Sequence, residues 1–319
     1  MTTINPNLPT PQRKTFREWL ALPKVQKWLV IFAFGIIPVT LLIMFTYYPF
    51  IKMVEFSFYN MSYTKNRGFI GLKNYISVFT KKELFATFRI SVYYMVGALI
   101  QIALALYFAT ILSFKTKFTA VYKGAMFFPF LINGIAIGFI FKFFYTRGYV
   151  LDTTLGFLGL DMESLPFWLR DMRVNNWALV GTSVWKYMGQ NMVLFCGAIM
   201  SVDPTLYEAA AIDGANKWHQ FLYIILPSIS TVLTLNVILS ITGSLSAFEP
   251  PYVITSMAAN GTATYFVQMH QTAHVQHKVG LACAMAVVLV VIIGICTIIQ
   301  KLIFKYAFRN ASIDSKEAK

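Results

Sequence analysis

Residues 279–303 read VGLACAMAVVLVVIIGICTIIQKLI, with no charged side chain before Lys301. An α-helix rises about 1.5 Å per residue, so roughly 20 apolar residues cross the ~30 Å hydrocarbon core of a bilayer. A transmembrane β-strand would alternate over about ten residues, and no alternation occurs here. The stretch therefore predicts a membrane-spanning helix. Working outward, similar runs lie at about 28–50, 86–112, 124–145, 177–200 and 228–248. Pro38 and Pro129 fall inside two of them. Kinks rather than helix ends are expected there, because neighbours in a bundle re-satisfy freed backbone groups. The fold class predicted is an all-α integral membrane protein of six transmembrane helices. A 28–303 membrane domain would lie between tails at 1–27 and 304–319.

Composition agrees with this. Of 319 residues, 57% are hydrophobic and 13% charged, against about 45–50% and 25% in soluble domains. A net charge of +14 could suggest nucleic acid, but that needs cations gathered on a soluble face. Here Lys and Arg sit between apolar runs, where they orient helices and meet anionic lipid, so no nucleic-acid partner is expected. Cys196, Cys283 and Cys296 all fall in apolar stretches and read as packing residues. Residues 1–27 are polar and basic, and the first apolar run is too long for a signal-peptide core. It is expected to remain as an anchor.

Positive charge sets the expected orientation. Arg13, Lys14, Arg17, Lys24 and Lys27 precede the first span, Lys115, Lys117 and Lys123 lie in the 113–123 loop, and Lys301, Lys305, Arg309, Lys316 and Lys319 end the chain. With six spans these segments share one side, assigned to the cytoplasm together with both termini. The 51–85 loop opposes this with Lys52, Lys65, Arg67, Lys73, Lys81 and Lys82, although it is longer and its charges lie partly away from helix ends.

The loop at 201–227 then falls on the cytoplasmic side. Asp203 can cap a helix with Pro204 at its first position, and Gly214 suits the left-handed residue that ends one. Asn216 can cap a second helix, expected to stop before Pro227. Trp218, Phe221, Leu222 and Ile225 recur on it at helical spacing. Physically the loop is either an amphipathic hairpin lying on the membrane or a docking element for another protein.

The segment EAAAIDGANKWHQFLYIILP, Glu208 to Pro227, resembles the EAA signature of binding-protein-dependent ABC importer permeases. In that signature EAA is followed by three residues, Gly, nine residues and I-x-L-P. Glu208, Ala209, Ala210, Gly214, Ile224, Leu226 and Pro227 fall in register. Ser57-Phe58 and Phe69 to Tyr75 resemble the external F-x-G-L-x-N-Y element of carbohydrate permeases. Phe248-Glu249 with Tyr252 to Thr255 resembles their F-D…L-T stretch, although Ser256 to Gly261 replaces the usual GGP. Gly280-Leu281-Ala282 and Ala284 resemble the G-x-A-x-A entry to the last span. The nearest type is the first of the two paired subunits in maltose and oligosaccharide permeases, since Tyr306 to Lys319 shows no Gly-rich tail.

The resemblance implies an ABC type I importer permease fold and a non-enzymatic subunit. It implies a second permease subunit in a heterodimer, an ATPase dimer, an extracytoplasmic solute-binding protein and a bacterial cell membrane. No G-x-x-x-x-G-K-[ST] phosphate loop occurs, so no cofactor is expected on this chain and ATP–Mg would be bound by the ATPase. By resemblance, the 201–227 loop is the coupling helix. Glu208 would contact the ATPase, Ala209 and Ala210 would fit its groove, Gly214 would set the bend, and Asp213 belongs to the same ATPase-coupling set.

A sugar path needs amides, hydroxyls and aromatics near mid-membrane. The fourth span offers Ser183, Trp185, Tyr187, Gln190 and Asn191, and the fifth offers Asn236, Ser240 and Ser244. By resemblance these spans face the substrate, and the alternative is helix–helix packing. Lys186 lies about ten residues into its span, where it could meet an anionic sugar, pair with Glu249 or snorkel outward. His270, His274 and His277 have helical spacing without a nearby carboxylate or Cys and read as surface residues, so no metal site is expected. An anionic sugar or glycerol phosphate is an alternative solute. An ion-coupled secondary transporter is a rival, although the spans contain no central Asp or Glu and no clear repeat.

Overall fold

The computed structural model describes residues 22–63, 65–114, 117–256 and 259–307, without the side chain of Phe85. Most of the 1–27 and 304–319 tails therefore lies outside the described residues. The chain divides into two units, residues 1–55 and 56–319.

The first unit is built on one long apolar helix. α1, Pro23–Leu42, opens with Pro23 at its first position and passes through Pro38 without ending. A π-helical turn at Ile43–Tyr47 leads into α2, Tyr48–Phe56. The whole segment Pro23–Phe56 is apolar and long enough to span a bilayer. It extends past the expected 28–50 at both ends, and Lys52 pairs with Glu55 at 2.8 Å in its last turn.

The second unit opens with a small antiparallel hairpin of β1, Tyr59–Ser62, and β2, Lys65–Phe69. This corrects the purely helical expectation. Asn74 accounts for the hairpin's placement: its amide donates to the Ser57 and Tyr59 carbonyls at 2.8 and 3.1 Å. Gly280 lies so close that a Cβ there would sit 2.1 Å from the Tyr59 carbonyl oxygen. α3, Lys73–Thr80, carries Asn74 and leads to α4, Lys82–Ser113.

The expected 124–145 span is broken. α5, Thr119–Leu131, and α6, Gly134–Tyr145, are bent by 98° to each other. Pro129 lies inside α5, and the break comes three residues later, where the Asn133 side chain accepts from Ile135 N–H and starts a new helix. A side chain that caps a helix competes with continuing the previous one.

α7, Val150–Phe157, precedes α8, Asn175–Met200. α8 covers the expected 177–200 span but is too polar to be counted as a span by apolarity alone. Among the described residues four helices pass that test, or five if the bent pair is one span. α9 Pro204–Ile212, α10 Lys217–Gln220 and α11 Leu226–Ser228 make the 201–227 loop. α12 Ser230–Leu245 and α13 Glu249–Val253 together form an apolar run of 24 residues. α14 Tyr265–His274 leads to α15, Val279–Ala307.

Against lipid, helices gain little by hiding apolar groups from one another, so close backbone approach and dispersion hold them together. The α4–α8 pair is the most extensive. Ala105 and Ala109 on α4 are fully buried against Met192, Phe195 and Cys196 of α8. A Cβ on Gly97 would lie 2.3 Å from Val180 Cγ1, and one on Gly189 only 1.8 Å from the Met126 carbonyl oxygen of α5. α15 packs separately, with Leu281, Ala284 and Met285 around Tyr265.

Gly189→Ala should therefore lower thermal stability in detergent by an amount typical of overpacking, about 1–3 kcal/mol. Gly197→Ala, where an added Cβ would meet nothing within 4 Å, should be neutral or slightly stabilising. Equal melting temperatures for the two variants would contradict this account of the α5–α8 contact.

Candidate functional site

The 201–227 loop is capped at both of its bends. Asp203 accepts from the Thr205 N–H and hydroxyl at 2.9 and 2.8 Å. These bonds, the backbone one foremost, hold its carboxyl below the usual range. At the end of α9 the Ala215 N–H reaches the Ala210 carbonyl at 2.8 Å and the Gly214 N–H reaches the Ala211 carbonyl at 3.2 Å. Gly214 sits at φ +79°. This is a Schellman cap, whose left-handed residue is usually glycine. Asn216 then caps α10 through His219 N–H at 2.8 Å.

The second piece does not stop before Pro227, which corrects the sequence expectation. A π-helical turn at Phe221–Ile225 carries it into α11. The wider turn bonds Leu226 N–H back to the Phe221 carbonyl, so the ladder is already offset where the proline brings no donor. The offset also splits the expected apolar stripe. Ile225 is buried with Ile229 in the core, whereas Trp218 is 63% exposed. Tyr207 stacks edge-on against Phe114, anchoring the inner side. Glu208, Ala209, Asp213 and Gly214 are exposed and Ala210 partly so, beside exposed Leu206 and Ile212.

A cavity of about 550 Å³ opens between α4, α8 and α12–α13. Ser183, Tyr187, Gln190, Asn191, Ser240 and Ser244 line it. Asn191 donates to Ser240 across α8 and α12 at 3.3 Å, so this pair also ties the helices. Trp185 is absent from the wall and packs on Phe141 at 5.2 Å. Asn236 is absent too: it is buried and donates to the Val232 carbonyl in its own helix. Both face away because a helix turns 100° per residue and only part of its polar set can share one wall.

Sequence reasoning missed Tyr94 and Gln101 of α4, and Phe248, Glu249 and Phe266. The spacing of Tyr94, Gly97, Ala98 and Gln101, at i, i+3, i+4 and i+7, was the available signal. Lys186 pairs with Glu249, Nζ to Oε2 at 2.7 Å, one of the three outcomes open to it. Its ammonium also lies 5.1 Å from the Tyr187 ring centroid. The carboxylate rests against Gly134 at the start of α6, where a Cβ would lie 1.6 Å from Oε2. Gly138 permits the same approach to Val253, a small-xxx-small contact readable from sequence.

Residues 101–308, which include the cavity helices α8 and α12 and the capped loop, match the family described as "Binding-protein-dependent transport system inner membrane component". The chain belongs to this family. Similar curated proteins include the "Probable ABC transporter permease protein YesP" of Bacillus subtilis, 29% identical over 86% of this chain and 88% of that one. The "Osmoprotective compounds uptake permease protein GgtC" of Synechocystis is 31% identical over 77% and 88%. The fold matches a crystal structure of a bacterial ABC transporter involved in the import of the acidic polysaccharide alginate, with a TM-score of 0.78 at 16% identity over 91% of this chain and 99% of that chain.

As a transport-system membrane component, the chain is a multi-pass permease subunit, and ATP hydrolysis belongs to a separate subunit. Two further polar clusters lie outside the cavity wall. His270 and His274 stack at 4.6 Å, but His277 turns away to Tyr63 at 4.8 Å. Burial, and then the neighbouring His274, lowers the His270 pKa. Asp152, buried in α7, accepts from Gly148 N–H and Trp168 Nε1, both at 2.7 Å, beside Arg147 at 3.6 Å. This knot ties Arg147 and Gly148 through Asp152 to Trp168, and the sequence reading did not single it out.

The Lys186–Glu249 contact should show in a double-mutant cycle over Lys186→Met and Glu249→Ala. The pair is only half-buried, with the glutamate side chain 40% exposed, so a coupling of about 1–2 kcal/mol is expected. Additive losses of stability would mean that the two side chains act independently.

Proposed function

We propose that this permease is one of two membrane subunits in an ATP-driven importer of a sugar or oligosaccharide, in a bacterial cytoplasmic membrane. The observation that carries this reading is the cavity wall, where amide and hydroxyl groups alternate with Tyr94, Tyr187, Phe248 and Phe266. Aromatic faces match the apolar faces of a sugar ring, and amides and hydroxyls match its rim. Relatives support it. They include the "Probable starch degradation products transport system permease protein AmyD" of Thermoanaerobacterium thermosulfurigenes, 28% identical over 79% of this chain and 86% of that one.

In this reading the broken pair α5–α6 and the polar helix α8 each complete a span, giving six, with both termini cytoplasmic. The membrane domain runs over 28–303 between the tails 1–27 and 304–319. The partners are a second permease, an ATPase dimer that holds ATP–Mg, and an extracytoplasmic binding protein. The match to a crystal structure of an alginate transporter "in complex with alginate pentasaccharide-bound periplasmic protein" supports the last of these (TM-score 0.79). The 201–227 loop is the coupling element. Glu208, Ala209 and Ala210 would meet the ATPase, and the Asp213–Gly214 cap would hold the shape through which ATPase closure tilts α8 and α12. Access then switches from outside to inside.

Glu208→Ala and Gly214→Pro test this. Proline can neither adopt φ +79° nor donate to Ala211. In reconstituted complexes both variants should assemble, yet loaded binding protein should no longer stimulate ATP hydrolysis and sugar uptake should be lost. Full transport in both would remove the coupling role.

A further inference from the structure

Among the described residues that line the cavity, Glu249 carries the only full charge. Its side chain is 40% exposed, whereas that of its partner Lys186 is 9% exposed and does not line the cavity. The ammonium thus stands behind the carboxylate, held by Oε2 at 2.7 Å and facing the Tyr187 ring. On the other side, the carboxylate rests on Gly134 at the N-terminus of α6. Its orientation is therefore set by two groups of positive potential that do not face the cavity.

Resting on the carbohydrate reading above, we propose that Glu249 selects uncharged, hydroxyl-rich solutes and rejects carboxylated or phosphorylated ones. A carboxylate is an acceptor only. Sugar hydroxyls can donate to it, whereas the ionised carboxylate of a uronate, itself an acceptor only, can offer it no hydrogen bond and adds like charge. An anionic solute at the wall meets the Glu249 charge at short range, with the compensating Lys186 charge farther away. In a cavity walled by apolar and amide groups that repulsion is screened far less than in water.

The experiment uses the assembled complex of this chain with its second permease and ATPase in lipid nanodiscs, without binding protein. Maltotriose and trigalacturonate, a neutral and an acidic trisaccharide of equal length, serve as probes in calorimetric titrations at one ionic strength. The wild type should favour maltotriose by about tenfold. Glu249→Gln keeps the shape, removes the negative charge and leaves Lys186 unopposed, so the preference should vanish or invert. If that variant fails to assemble, Lys186→Met/Glu249→Gln removes both charges and should also abolish the preference. Equal binding of the two sugars by the wild type, or a preference that survives in the variants, overturns the selection role while leaving a carbohydrate path intact. Binding of neither sugar overturns the carbohydrate reading itself, and the selection role with it.

Discussion

Close approach of helix backbones is the constraint on which this permease depends. A bilayer is as apolar as a leucine side chain, so burying apolar surface cannot by itself choose which helix meets which. What chooses is fit. Gly97 admits Val180, Gly189 admits the backbone of α5, and Gly134 admits a carboxylate. Ala105 and Ala109 let α4 lie along α8. Each of these positions is small because something else occupies the volume a side chain would take. The polar groups that line the cavity are held in place by the same contacts.

That constraint also explains what could be read in the sequence. Run length marked α1, α4, α12 and α15, because hydrocarbon thickness imposes it directly. The Asp203, Gly214 and Asn216 caps were legible because a cap is a local hydrogen-bonding problem solved by a few residue types. The break at Asn133 was not foreseen: Pro129 drew attention as the breaker, although an asparagine that caps a new helix ends the old one more sharply. The hairpin at 59–69 escaped as well, since it depends on a side-chain bond from Asn74 to its first strand and on the close approach of Gly280 from far along the chain. The cavity was half legible. Polar residues on α8 and α12 could be named, but the rotation that puts Trp185 and Asn236 outside the wall depends on how the helices pack. The contribution of α4 was hidden within an otherwise apolar run.

The two polar regions of the chain are built on opposite rules. Around the cavity, Lys186 and Glu249 each have a specific partner, and Asn191 is tied to Ser240. In the 201–227 loop, the inner side is fastened by Tyr207 and Ile225, and the outer side leaves Leu206, Ile212 and Trp218 open. The π-turn at Phe221–Ile225 divides the two sides. Without that extra residue per turn, Trp218 and Ile225 would share a face, and one of them would be wrongly placed.

For the coupling role proposed above, the Schellman cap at Gly214 bears on assembly. Because Gly214 and Ala215 donate to carbonyls of their own helix, the end of α9 is satisfied before any other chain arrives. A docking helix finished in this way loses little conformational freedom when it is gripped and loses no backbone bonds when it is released. In the proposed coupling role, the element would act as a preformed key rather than a strand that folds into its lock. Such a part can be engaged and let go through many cycles, and handed from one copy of a partner to another, without refolding in between.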